Sequence, residues 1–248
     1  MPDPRGPNQQ EASAPSMRRM LSAFQFLIEW ILSDIPGPVG SRLRTRYWRS
    51  RMGSVGSNVT FGVGVRVTEP KSIFIGDNTW IDDYVVLLAG PPKEGGRQIT
   101  RRENASFSGC EGELHIGRNC HIAQFVTLQG HGGLSIGDDC GVASGARLYS
   151  LSHHYRAAVP SDVVYKFSPR SPVSEQALIA SPVVMEDWTA VGLNAVLLPG
   201  ATLGRGTWVA TLSLVTGPLP GHSVAGGTPA VVVKEIRPDP EAGAGRAR

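Results

Sequence analysis

Between Val55 and Val215 an apolar residue returns at every sixth position, in blocks: Val55, Phe61, Val67; Ile75, Ile81, Leu87; Ile116, Ile122, Leu128; Ile136, Val142, Leu148. A longer run follows, Ile179, Met185, Val191, Leu197, Leu203, Val209 and Val215. Four positions after each stands a small or β-branched residue, as at Val59, Thr79, Cys120, Cys140, Ala146, Thr189, Ala201 and Ser213, and the residue directly after is often glycine, as at Gly56, Gly76, Gly117 and Gly204. A helical period of 3.6 cannot hold every sixth residue on one face, and a period of 2 alone selects neither glycine nor small residues at fixed phase. A stacked solenoid does both. Three hexads make one triangular coil, and successive coils pair as parallel strands about 4.8 Å apart.

The pattern predicts an all-β solenoid, a parallel β-helix of three-sided coils over residues 55–220, closed by a short segment at 221–237. Longer spacings at Val67 to Ile75 and Leu128 to Ile136 read as insertions at one corner. From the same corner leave two long loops, 88–115 and 149–178. Loops of that length carry function or cover a site more often than not, so the chemistry is expected there.

Ahead of the coils, residues 17–54 form a helical and basic segment. Leu21, Phe24, Ile28, Ile31 and Ile35 make one apolar stripe of a helix too short to span a bilayer. Arg42, Arg44, Arg46, Arg49 and Arg51 follow, with Tyr47 and Trp48. Two uses compete: packing in the molecule or against a neighbouring subunit, and peripheral contact of residues 17–51 with an anionic membrane surface. Residues 1–16 and 238–248, rich in Pro, Gly, Ala and charge, read as disordered tails.

With 248 residues and 41% hydrophobic content the chain buries a real core. A formal net charge of +3 is too weak to indicate a nucleic-acid partner. Three cysteines at no metal-binding spacing point to a reducing compartment, the cytoplasm. Cys120 and Cys140 hold the inward slot and read as small core residues; Cys110 is a loop thiol.

Four stretches carry a resemblance to a known family: Ile75-Gly-Asp-Asn-Thr-Trp-Ile81, Leu148-Tyr-Ser-Leu-Ser-His-His-Tyr155, the run from Val191 to Gly204, and Gly226-Gly-Thr-Pro-Ala230 with the residues to Ile236. They resemble the hexapeptide-repeat acyltransferases with a left-handed β-helix, particularly O-acetyltransferases of sugars and polysaccharides. The resemblance implies left-handed coils, a homotrimer with sites between subunits, and acetyl-CoA as acyl donor with no metal. It places the catalytic histidine just beyond a coil's last aliphatic position, where Ser152-His153 stands. It also places the pantetheine arm along Gly192, Leu193, Thr211 and Thr216, with Pro229 beside the CoA groove. This sequence departs from the family at Val231 and Gly217, where basic residues are common, which leaves Lys234 and Arg237 as the nearest cations.

The expected reaction moves an acetyl group from acetyl-CoA to a hydroxyl of a saccharide. Histidine suits the base near neutral pH, so His153 is the candidate, with His154 as the alternative in a shifted loop. His154, Tyr155, Gln124, Gln129 and His131 are candidates for the acceptor side. N-acetylation of an amino sugar or a natural product remains open. So does a zinc hydratase through His115 and His121, though these fall on different sides of a coil, and so does a non-catalytic binding protein.

Overall fold

The computed structural model describes residues 27–156 and 164–236. Hydrophobic positions six apart turn each hexad into one short strand and one corner, and the strands stack into three walls. The first wall runs Ser54–Val55, Ile73–Ile75, Leu114–Ile116, Leu134–Ile136, Val183–Met185, Thr202–Leu203, Pro218–Leu219. The second runs Thr60–Phe61, Trp80–Ile81, His121–Ile122, Gly141–Val142, Ala190–Val191, Trp208–Val209, Ser223–Gly227. The third runs Arg66–Thr68, Val86–Leu88, Thr127–Gln129, Arg147–Tyr149, Val196–Leu197, Leu214–Val215. All of these pairings are parallel, and the walls fit the expected β-helix. On the second wall the chain then doubles back, Ala230–Glu235 pairing antiparallel with Ser223–Gly227.

Register follows the apolar repeat. Ile75 lies opposite Ile116, Ile81 opposite Ile122 and Leu87 opposite Leu128. The slot four positions after each repeat residue points inward throughout: Val85, Val126, Ala146, Ala195 and Ala201 are fully buried. The Cys120 thiol is pushed up by its hydrogen bond with Cys140 and by burial, as suits an inert core residue.

Two features of the pattern take their meaning from the structure. The glycines after the repeat residues stand where successive coils touch. A Cβ on Gly117 would sit 2.5 Å from the Gly137 carbonyl oxygen of the next coil, so close coil contact excludes a side chain there. The left-handed turn comes two residues later, at Asn58, Asn78, Asn119 and Asp139 on one corner and at Tyr84 and Phe125 on the next. Ile179 also leaves the core. It lies in Ala177–Ala180, hydrogen-bonded outside the walls, and the coil resumes with Met185 opposite Ile136. Six-residue spacing there coincides with the repeat without belonging to it.

The two long excursions leave the third wall after Leu88 and after Tyr149 and return to the first wall, as one corner required. They are not independent loops. Leu151–His153 pairs antiparallel with Ala177–Ala180, which pairs parallel with Gln98–Arg101, so both excursions join in one small sheet.

At the opening end, residues 27–34 are helical and helix α1, Gly37–Arg49, follows. Trp48 and Met52 close the core beneath the first coil. Residues 17–26, with Leu21 and Phe24, lie outside the described residues, as do both tails, 1–16 and 238–248. Ile31 is half exposed, and Ser33 faces the body instead, so the apolar stripe is not the buried face here. The basic cluster also divides. Arg44 is 3% exposed and donates to the carbonyls of Leu32, Ile35 and Phe61, whereas Arg42 and Arg46 are exposed. Among the described residues no helix is long and apolar enough to cross a membrane.

Candidate functional site

His153 ends the strand Leu151–His153 of the excursion sheet, its backbone opposite Leu178. Its imidazole is half-buried against Phe167, with ring centroids 4.9 Å apart, and its buried Nδ1 has no hydrogen-bond partner among the described residues. A buried ring nitrogen left unpaired costs free energy, on the order of 1–3 kcal/mol, unless something else meets it.

Gln129 sits one coil below and holds the root of this strand. Its Oε1 accepts from the Leu151 N–H at 2.9 Å, and its carbonyl accepts from the Ser150 hydroxyl at 2.6 Å. Gln129 thus positions the His153 strand through its carbonyl and Oε1. His131 ties the first excursion down, its Nδ1 donating to the Gly90 carbonyl at 2.7 Å. His154 turns to the opposite side, stacked on Tyr155 with centroids 4.7 Å apart and its Nδ1 2.8 Å from the Arg156 carbonyl oxygen. Tyr155 is 72% exposed. Gln124 is not with them; its Oε1 accepts from the Ser144 hydroxyl at 3.0 Å on the second-wall side.

The residues proposed for CoA divide as well. Leu193 and Thr211 meet at the corner between the second and third walls, where the Leu212 N–H donates to the Leu193 carbonyl at 2.9 Å. The turn before Pro229 joins them through the Gly227 N–H and the Ser213 hydroxyl, 3.2 Å apart. Gly192 is pressed against that coil, a Cβ there meeting the Thr211 nitrogen at 2.6 Å. Thr216 lies at the far end of the third wall, and Lys234 is exposed on the outer hairpin strand opposite Val224. Arg237 lies outside the described residues.

His115 and His121 stand on different walls. His115 stacks on Phe74 and bonds Glu113 at 2.9 Å; His121 Nε2 bonds Asp82 at 3.0 Å. Among the described residues no three His, Cys, Asp or Glu side chains converge as metal ligands. A cleft of about 700 Å³ lies beside the first excursion, with Arg101 on its edge already paired to Glu94 and Glu111, and none of the expected site residues lines it. A second, of about 520 Å³, lies on the second wall between Trp80 and Trp208 and takes in Gln124, Gly192, Leu193, His121 and Asp82. Sequence reasoning weighed His121 only as a metal ligand and passed over both tryptophans. The signal was present one position before each second-wall repeat residue.

The three walls form a parallel β-helix, and solved structures of similar fold include acyltransferases. They include AntD, an N-acyltransferase from Bacillus cereus solved with dTDP and 3-hydroxybutyryl-CoA, with a TM-score of 0.60 and 20% identity over 78% of this chain and 88% of that one. A maltose O-acetyltransferase from Clostridium difficile 630 aligns with a TM-score of 0.50 and 17% identity over 87% of this chain and 86% of that one. At these identities the likeness is one of fold. In sequence, a 2,3,4,5-tetrahydropyridine-2,6-dicarboxylate N-acetyltransferase of Staphylococcus aureus (strain JH9) is 46% identical over 56 residues, 23% of each chain. The chain thus matches about a quarter of the length of these curated relatives. No protein-family model matches it.

Proposed function

We propose that this chain is a CoA-dependent acyltransferase that moves an acetyl group from acetyl-CoA to a hydroxyl of a sugar or polysaccharide precursor, with His153 as general base. The observation that carries the reading is the His153 ring, packed against Phe167 on a strand of the sheet that joins both excursions, with a buried nitrogen that has no partner among the described residues. In direct transfer the imidazole takes the acceptor proton as the oxygen attacks the thioester carbonyl. The C–S bond breaks, and the departing CoA thiolate receives that proton.

In this reading the coils are left-handed and three chains assemble with each site between neighbours, so that His153 of one subunit faces the Gly192, Leu193 and Thr211 corner of the next. That arrangement fits a chain in which His153 lies on the excursion sheet while Leu193 and Thr211 lie at the corner between the second and third walls. Thr216, Pro229, Lys234 and Arg237 would meet the outer part of the cofactor, His154 and Tyr155 the acceptor side. A cytoplasmic location follows from the cysteine usage.

An amine acceptor is the second reading, favoured by the N-acyltransferases among the relatives. Mass spectrometry of products after incubation with acetyl-CoA and a panel of sugars, amino sugars and lipid-linked oligosaccharides separates the two. For the base, His153→Ala is expected to cut release of CoA thiol by about a hundredfold or more while the unfolding midpoint stays put. Near-wild-type turnover in that variant rejects His153.

A further inference from the structure

Outward positions on the second wall run, coil by coil, Thr60, Trp80, His121, Gly141, Ala190, Trp208. Bulky rings stand at both ends and almost nothing stands between. A Cβ on Gly141 would meet nothing within 4 Å, and the floor continues in Ala123, Ala143 and Gly192. The result is a slot of about 520 Å³, within the range of about 300–1,000 Å³ usual for small-molecule sites. From His121 to Trp208 is three coil steps, about 14 Å at the inter-strand spacing, long enough for a disaccharide.

The lining has a definite chemistry. Trp80 and Trp208 are each more than half exposed; the His121 ring packs on Trp80 with centroids 5.1 Å apart and forms that end of the slot. The Asp82 carboxylate is 7% exposed and fixes His121 through Nε2 at 3.0 Å. The other His121 nitrogen has no partner among the described residues. Gln124 and Ser144 add an amide and a hydroxyl on the rim. No lysine or arginine lines the slot, which disfavours a phosphate-bearing ligand. Flat aromatic faces flanking fixed hydrogen-bonding groups, without cations, are what the apolar face and hydroxyl rim of a sugar ring require.

We infer that this slot binds the saccharide acceptor as a neutral or amino sugar between Trp208 and the His121 ring that Trp80 backs, with the His121–Asp82 pair holding a hydroxyl or amine. The inference rests on the acyltransferase reading for the ligand's role and places the acceptor on the second wall, apart from His131 and Gln129.

Gly141→Leu tests it, because the added side chain enters open space at a position whose φ suits any residue. Trp208→Ala and His121→Ala remove contacts from either end. Labelled full-length protein on a glycan array is expected to bind at least one saccharide, and each variant to lose that binding by about tenfold or more. In turnover, Gly141→Leu should raise KM for the acetylated saccharide by about tenfold while KM for acetyl-CoA stays within roughly twofold. The inference is overturned if the wild type binds no saccharide, if the variants bind as the wild type does, or if Gly141→Leu instead changes the oligomeric mass, which would make the slot a subunit contact. Failure of the acyltransferase reading looks different: saccharide binding sensitive to Gly141→Leu, but no CoA thiol released with any acceptor.

Discussion

Single residues seal this fold at its edges. Arg44 enters the bottom of the molecule and donates to three carbonyls, at 2.6 Å to Ile35, 3.0 Å to Phe61 and 3.2 Å to Leu32, tying residues 27–34 to the first coil. Burial lowers its pKa from the ordinary value, opposed by Asp83 and Asp34. Arg44→Met should cost about 2–4 kcal/mol in urea unfolding by leaving those oxygens unpaired; a loss below about 0.5 kcal/mol would mean water serves them as well. Aspartates do similar work at the corners, Asp77 accepting from the Ser57 N–H and Asp138 from the Arg118 N–H of the coil before. The Ser57 backbone and hydroxyl bonds hold the Asp77 pKa down, and Arg118 holds that of Asp138 down. Since the folded pKa values lie below the unfolded ones, these bonds stabilise at neutral pH, and their contribution is lost as pH falls below roughly 4. The unfolding midpoint should drop between pH 5 and pH 3, and less steeply in an Asp77→Asn, Asp138→Asn double variant; an equal slope removes these carboxylates as the cause. Neither role was legible beforehand. Arg44 reads as one of five arginines in a basic stretch, and only three-dimensional closure selects the one turned inward.

At the scale of the element, the repeat itself was legible because two side chains per hexad must fill a narrow interior. The inward slot narrows from Val85 and Val126 to Ala146, Ala195 and Ala201 along the coils. Ala146→Leu is therefore expected to overpack the interior and cost about 1–3 kcal/mol, while the outward Ala190→Leu, in the open slot, should be near neutral. Equal unfolding midpoints for the two variants would contradict the inward assignment. What the repeat could not convey is the sheet joining the excursions. Leu151–His153, Ala177–Ala180 and Gln98–Arg101 come from segments without hexad signal, and their pairing depends on a corner bringing together stretches about 25 and about 80 residues apart. For the same reason Ile179 is misread by spacing alone. The position of His153 at the end of a coil was legible; the Phe167 ring against it, reached from the far side of the excursion, was not.

For the whole molecule, the decisive matter is which chain supplies which part of the site. His153 lies on the excursion sheet beyond the corner between the third and first walls, whereas Leu193 and Thr211 lie at the corner between the second and third. A three-sided prism separates those corners by one full wall, so under the proposed function a thioester at Leu193 would meet the His153 of a neighbouring chain rather than that of its own. Mixed assembly turns this into a count. If sites form between subunits, co-refolding equal amounts of His153→Ala and Leu193→Asp chains creates intact sites wherever a wild-type His153 meets a wild-type Leu193, about a quarter of all sites under random mixing. Acyl-transfer activity should then recover to about a quarter of the wild-type level, although each variant alone is inactive. If instead every site is built within one chain, no mixture contains an intact site and the activity stays at the level of the separate variants. The oligomeric mass of the mixture, measured by light scattering, must match that of the wild type for the comparison to hold, and a monomeric mass at working concentration would by itself overturn the shared site.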